Sequence, residues 1–249
     1  MKFSVCLDSV FDGIPLEESL EIVNEAGHGA VEFWGWWNKD YRLIARETEK
    51  RGLKIAAFCT KFVSLTDGSR RDAFLDGLWE SVAVAVETGC PVLIAQVGAD
   101  TGAPRGEQRA NAVETLKRSA EILEKTEVTL AFEPLNPYNH PGYFLVKSKE
   151  AFEMAAEVGS GRVKVLFDIY HQQLSEGDLM NSIITNLPGI AHFHAAGCPG
   201  RHELSEGEIR YEWLLLQIER AGYAGYVGLE FFPKNQNKAD LTNWLREVM

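Results

Sequence analysis

A parallel (β/α)8 barrel is the fold class this sequence predicts, and three observations predict it. Short β-rich runs alternate with segments of helical period along all 249 residues, which is the signature of a sheet built from strand-helix units. Eight such units fit in the length, about what a barrel of this kind takes. Four of the runs end in a side chain able to hold a metal and pass straight into loop residues. They are Phe132-Glu133-Pro134-Leu135-Asn136, Phe167-Asp168-Ile169-Tyr170-His171-Gln172-Gln173, Ala191-His192-Phe193-His194-Ala195 and Leu229-Glu230-Phe231-Phe232-Pro233. In a parallel barrel the C-terminal strand ends form one rim, where the βα loops open.

In chain order, residues 2–8 read as the first strand, and Pro15 opens a helix filled by Leu16, Leu20, Ile22 and Val23. A strand near 29–34 runs into Trp34-Gly35-Trp36-Trp37, and the following helix extends through Glu49 to a stop at Gly52. The third strand spans about 53–59, followed by a polar loop from Thr60 to Arg71 long enough to cover a site. The next helix carries Phe74, Leu75, Leu78, Val82 and Val86 and ends near Gly89. Strand four (about 91–97) ends at Gly98. A loop rich in Gly and Pro over 99–106 leads to a helix reaching about 125, and strand five is 127–133. Residues 136–143 hold too much Pro, Asn and Gly for helix or strand and read as a rigid loop. A helix at 148–158, strand six at 163–168, a helix at 176–187, strand seven at 190–195, the charged loop 197–208, a seventh helix, strand eight at about 225–231 and a last helix complete one barrel domain over 1–249.

Composition narrows the function classes. A hydrophobic fraction of 45% is that of a globular protein, and the formal charge of −11 argues against nucleic acid or an anionic membrane as partner, because phosphate binding needs a basic field. Cys6, Cys59, Cys90 and Cys198 are far apart and form no CxxC pair, so they read as reduced core thiols. No charged-then-apolar leader and no uncharged run of about 20 residues is present; a cytoplasmic protein acting on a small molecule is expected, with a homo-oligomer left open.

Strand parity tests the four rim residues independently. Side chains alternate between faces, so Val128, Leu130 and Phe132 pack under helices while Thr129, Ala131 and Glu133 face the interior. By the same count Asp168 faces inward with Leu166, and Glu230 with Gly228. Three carboxylates converging on one buried rim repel one another unless a cation sits among them. With His194 as a fourth ligand, the set is hard and mostly oxygen, favouring one divalent cation: Mn2+, Mg2+ or Co2+, with Zn2+ admissible. The alternative, rim carboxylates paired with Lys or Arg, does not explain why all share one direction. His192 shares the parity of His194 one layer deeper, as a supporting or core residue.

The string from Glu133-Pro134-Leu135-Asn136 to Pro141-Gly142-Tyr143, then Asp168-Ile169-Tyr170-His171-Gln172-Gln173, then Pro199-Gly200-Arg201-His202-Glu203 with Gly207-Glu208-Ile209 resembles the hydroxypyruvate isomerases. That family lies among the xylose-isomerase-like barrels, beside ketose 3-epimerases and endonuclease IV. The likeness is specific from Glu133 to Pro233 and looser before. It implies that Glu133, Asp168, His194 and Glu230 bind the metal and that Glu133 and Glu230 also move protons. Two departures stand out. Hydroxypyruvate isomerases carry Gln at the position of His194, where His is the ketose-epimerase choice, and Thr60-Lys61-Phe62-Val63-Ser64 replaces a His-Asn-Leu-Pro string.

Such a site suits proton transfer between adjacent carbons of an α-hydroxycarbonyl compound through an enediolate, with the metal as Lewis acid. The expected reaction is isomerisation of hydroxypyruvate to tartronate semialdehyde. A ketose 3-epimerase of the tagatose or allulose type is the near alternative, and a non-catalytic sugar-binding barrel the distant one. DNA repair of the endonuclease IV kind needs many more His ligands than six histidines supply, and a basic face. For substrate binding, His171 is expected on the loop after strand six to hydrogen-bond an oxygen, and Arg201 to anchor a carboxylate. Trp34, with Trp36 and Trp37, is expected to wall out water.

Overall fold

Eight parallel strands close on themselves in sequence order in the computed structural model, which describes residues 1–248. They are β1 (Lys2–Cys6), β2 (Ala30–Gly35), β3 (Lys54–Cys59), β4 (Val92–Gln96), β5 (Thr129–Glu133), β6 (Val163–Asp168), β7 (Ile190–Ala195) and β8 (Tyr226–Leu229). The ring of outer helices is α2 (Leu16–Glu25), α3 (Tyr41–Lys50), α4 (Arg71–Thr88), α5 (Arg105–Leu123), α6 (Ser148–Val158), α8 (Leu179–Asn186), α9 (Tyr211–Arg220) and α10 (Lys238–Glu247). Two short helices, α1 (Leu7–Val10) and α7 (Ile169–Ser175), directly follow β1 and β6. None of the described helices is long and apolar enough to cross a membrane.

Local chemistry sets many boundaries. Asp40 and Asn237 cap α3 and α10 by accepting from Leu43 and Asp240 N–H, and α4 and α6 end at Gly89 and Gly159, whose positive φ values of 69° and 72° are cheap only for glycine. Both faces of the strands are buried, as parallel sheets require. Outward, Leu130, Phe132, Val165, Phe167 and Phe193 join the helices in the main core. Inward, Ala57, Cys59, Val92, Ile94, Ala131 and Leu166 form a separate plug. The inward placement of Ala131 and Leu166 agrees with the parity expected for β5 and β6.

The structure departs from the expected elements in three places. The first and eighth strands end at Cys6 and Leu229, earlier than expected: Asp8 turns away from the ladder to accept the Trp34 N–H at 2.7 Å and pair with Lys39. The helix expected at 176–187 is present as the shorter α8, and an additional helix, α7, occupies the stretch before it that reads as loop, the two separated where Gly177 takes a φ of 65°. Consequently His171 lies in the first turn of α7 and not on a loop. The four cysteines are buried and unpaired.

Candidate active site

Glu133 and Asp168 close β5 and β6, His194 is the penultimate residue of β7, and Glu230 comes directly after β8, where its N–H still donates to the Ala195 carbonyl at 3.1 Å. Register places Asp168 beside His194 and His194 beside Gly228. All four expected ligands are at most 5% exposed. They converge as two overlapping groups whose donor atoms lie within 4.8 Å of one another: Asp168, His194 and Glu230, and Glu133, Asp168 and His171. His194 Nδ1 joins the groups, 3.1 Å from Glu230 Oε2 and 3.7 Å from Glu133 Oε1.

Neighbouring side chains and backbone orient the Asp168 and Glu230 carboxylates. Asp168 is the N-cap of α7: its Oδ1 accepts the His171 N–H at 3.0 Å, leaving Oδ2 3.6 Å from His171 Nε2 and 3.8 Å from Arg201 Nη2. Glu230 Oε1 accepts the Trp34 indole N–H at 2.6 Å, and Arg201 Nη2 donates to its Oε2. Arg201 adopts a φ of 57° and stacks its guanidinium 5.6 Å from the rings of both Tyr170 and Phe232. His171 Nδ1 accepts the Asn136 N–H at 3.2 Å, so in a neutral ring the proton sits on Nε2. Burial lowers the ring's pKa, against the pull of Asp168, to about 4.

Charge is shared unevenly. Burial pushes the Glu133 carboxyl up, and Glu230 and Asp168 add to this while His194 opposes it. Burial acts the same way on Glu230, but His194 and Arg201 outweigh it and hold that carboxyl well below the usual carboxylate range. Burial alone would discharge His194; Glu230 and Glu32 overcome it and raise the imidazolium well above its ordinary range. A carboxylate held ionised, a carboxyl whose pKa burial has raised and a ring held in its charged form therefore stand together.

The donor set fits a divalent cation. Glu133 Oε1, both nitrogens of His194 and His171 Nε2 are buried without an aligned hydrogen bond, an expensive state for polar atoms. Glu133, Asp168, His194 and Glu230 could hold such a cation, which would satisfy Glu133 Oε1 and one His194 nitrogen and would have the oxygen-rich surroundings hard ions prefer.

Among the three tryptophans, Trp34 and Trp37 pack on the interior plug, and Trp37 meets Phe62 edge-on at 5.1 Å. Trp36 instead faces α4, donating to Ser81 Oγ at 3.0 Å, so it is not part of the wall expected around the site. Trp34 contributes more than a wall, since its indole N–H holds Glu230.

Sequence reasoning missed Glu32. This β2 carboxylate is 2% exposed and points into the barrel, with Oε2 accepting from Ser4 Oγ at 2.7 Å and bonded to His192 Nε2 at 2.9 Å, and Oε1 3.0 Å from His194 Nε2. Burial would raise its pKa; His194 and His192 together hold it at about 2. A glutamate in the apolar run Ala30-Val31-Glu32-Phe33 was the available signal, since lone buried charges are rare. His192 sits below His194, as expected for a supporting residue. Tyr143, also unassigned, links β4 to β5 by donating to the Glu133 carbonyl at 3.0 Å and accepting the Val97 N–H at 2.6 Å.

Residues 20–248 match the family described as xylose isomerase-like TIM barrel. The chain is 33% identical over 177 residues to the hydroxypyruvate isomerase of Escherichia coli (strain K12), covering 71% of this chain and 68% of that one. It is 28% identical over 258 residues to the 2-oxo-tetronate isomerase of Haemophilus influenzae, covering 99% and 98%. Among solved structures it superposes on the AP endonuclease, family 2, from Brucella melitensis with a TM-score of 0.92 and 31% identity, over 96% of each chain.

Proposed function

This chain belongs to the xylose isomerase-like TIM-barrel family, and from that premise we propose its reaction and its cofactor. It is an isomerase of small hydroxy-keto acids. Its substrate is hydroxypyruvate, converted to tartronate semialdehyde, and its cofactor is one divalent cation held by Glu133, Asp168, His194 and Glu230. The observation that carries this reading is the convergence of three buried carboxylates with unmatched His194 and Glu133 donor atoms on the C-terminal rim, under the guanidinium of Arg201.

A bound divalent cation supplies Lewis acidity, polarising adjacent carbonyl and hydroxyl oxygens of the substrate. The chain's own groups handle the protons. Glu133 and Glu230 come from β5 and from just beyond β8, three strands apart around the rim, so they flank the substrate from two sides. One removes a proton from C3, the hydroxyl-bearing carbon, and later returns it to solvent; the other delivers to C2 a proton it has taken up from solvent, while the hydroxyl proton passes from O3 to O2. No atom is gained or lost. His171 donates its Nε2–H to a substrate oxygen, and the planar fork of Arg201 takes the substrate carboxylate. Trp34 and Trp37 exclude water from the carbanionic stage.

A ketose 3-epimerase would use the same four ligands, but Arg201 at the mouth favours an acid. The endonuclease named for the Brucella structure is a poorer guide. A charge of −11 opposes a phosphate backbone, and three of the six histidines are committed elsewhere: His28 to the Leu245 carbonyl, His202 to that of Phe232, and His192 to Glu32. The test is turnover by the purified protein with Mn2+ on hydroxypyruvate, 2-oxo-tetronate and free ketoses, with EDTA as control. Activity on ketoses alone would overturn the substrate assignment, and full activity after exhaustive chelation would overturn the metal.

A further inference from the structure

We propose that Glu32 is a positioning residue for the metal centre: it holds His194 by Nε2, so that Nδ1 is the nitrogen presented to the cation. This rests on the metal site proposed above and adds a member that touches neither cation nor substrate.

The barrel interior is shaped around this carboxylate. One oxygen, Oε2, is fully used, since Ser4 Oγ donates to it at 2.7 Å and His192 Nε2 meets it at 2.9 Å. The other, Oε1, has no aligned hydrogen bond and stands 3.0 Å from His194 Nε2. The two rings stand edge to face, with centroids 5.2 Å apart, so one carboxylate spans both. Gly228, which register sets beside both Ser4 and His194, leaves the space the carboxylate fills: a Cβ there would lie 2.4 Å from Glu32 Oε1. Register shifts in the β2–β3 and β6–β7 pairings fall immediately around Glu32 and His192, and bulges of this kind re-aim side chains.

A buried acid needing only neutralisation would be satisfied by His192 and Ser4. What they leave unexplained is Oε1, aimed at the far side of the one histidine in the proposed ligand set. A histidine offers a lone pair on Nδ1 only if its proton resides on Nε2, and a carboxylate behind Nε2 fixes both tautomer and ring orientation.

The test compares wild type with Glu32→Gln, which keeps the size and removes the charge. Mn2+ affinity is read by isothermal titration calorimetry, and folding is checked by circular dichroism. Long-range 1H–15N NMR of the Zn2+-loaded proteins reads the His194 ring. Expected are Nδ1 ligation with a downfield Nε2–H in wild type, loss of that downfield resonance in Glu32→Gln, and Mn2+ binding weakened about 10–100-fold. Should Glu32→Gln fail to fold, the wild-type spectrum still decides: ligation through Nε2 overturns the proposal. Equal Mn2+ affinity in a folded Glu32→Gln overturns the role of Glu32 alone. A wild type that binds no Mn2+ overturns the metal site itself, and this assignment with it.

Discussion

Cation binding at this site must expel protons, and the structure sets how many. Without a cation, His194 is held in its charged form by Glu230 and Glu32, and the Glu133 carboxyl is raised by burial. Ligation requires a neutral ring and an ionised carboxylate. Groups that carry protons in the free protein and lose them on binding make affinity rise with pH. His194 alone contributes one proton through the neutral range, so affinity gains about tenfold per pH unit, or about 1.4 kcal/mol. Where Glu133 is also protonated the gain is about a hundredfold per unit, so between pH 6 and pH 8 it lies between about 10²- and 10⁴-fold, steeper at the acid end. Calorimetric titration of Mn2+ in buffers of different ionisation enthalpy measures the protons directly. His194→Gln should lower the count by one while keeping the substrate range, because the amide brings no proton to expel. An affinity that changes less than tenfold over this range, or binding without proton release, would refute this charge distribution.

Three further outcomes are expected. Glu133→Gln and Glu230→Gln should each lower kcat by about 10²–10⁴-fold under Mn2+ concentrations that saturate the variant, as checked by calorimetry. Near-normal turnover in either removes that residue from proton transfer. Arg201→Ala, which removes a guanidinium of 13% side-chain exposure, should raise KM for hydroxypyruvate about 10–100-fold, the size of a charge-assisted hydrogen bond, while changing KM for a neutral ketose much less. Gly228→Ala forces the Glu32 carboxylate aside and should cost about 1–3 kcal/mol of stability in urea unfolding; an unchanged midpoint would show that the interior yields at that point.

What the sequence disclosed and what it hid divide along a physical line. Parity and strand-end position locate Glu133, Asp168, His194 and Glu230 because both are properties of the local chain, an alternation of period two and a loop signal directly after it. α6, β6 and β7 match their expected bounds for the same reason. The residues that escaped notice depend on partners distant in sequence. Glu32 lies within β2, with no loop signal beside it, and its direction emerges only when Ser4, His192, His194 and Gly228 are brought around it by closure of the barrel. Adjacency groups Trp36 with Trp34, yet β2 closes at Gly35, and past that glycine the chain turns the ring to α4. Asp168 hides a second role in plain view. A strand-ending aspartate with Ile-Tyr-His after it is also a helix N-cap, and reading it so would have put His171 in the first turn of a helix instead of on a loop. That same cap commits Oδ1 to the His171 N–H and leaves Oδ2 for the site, so one local rule, applied once more, would have supplied part of the site's geometry as well as an extra helix.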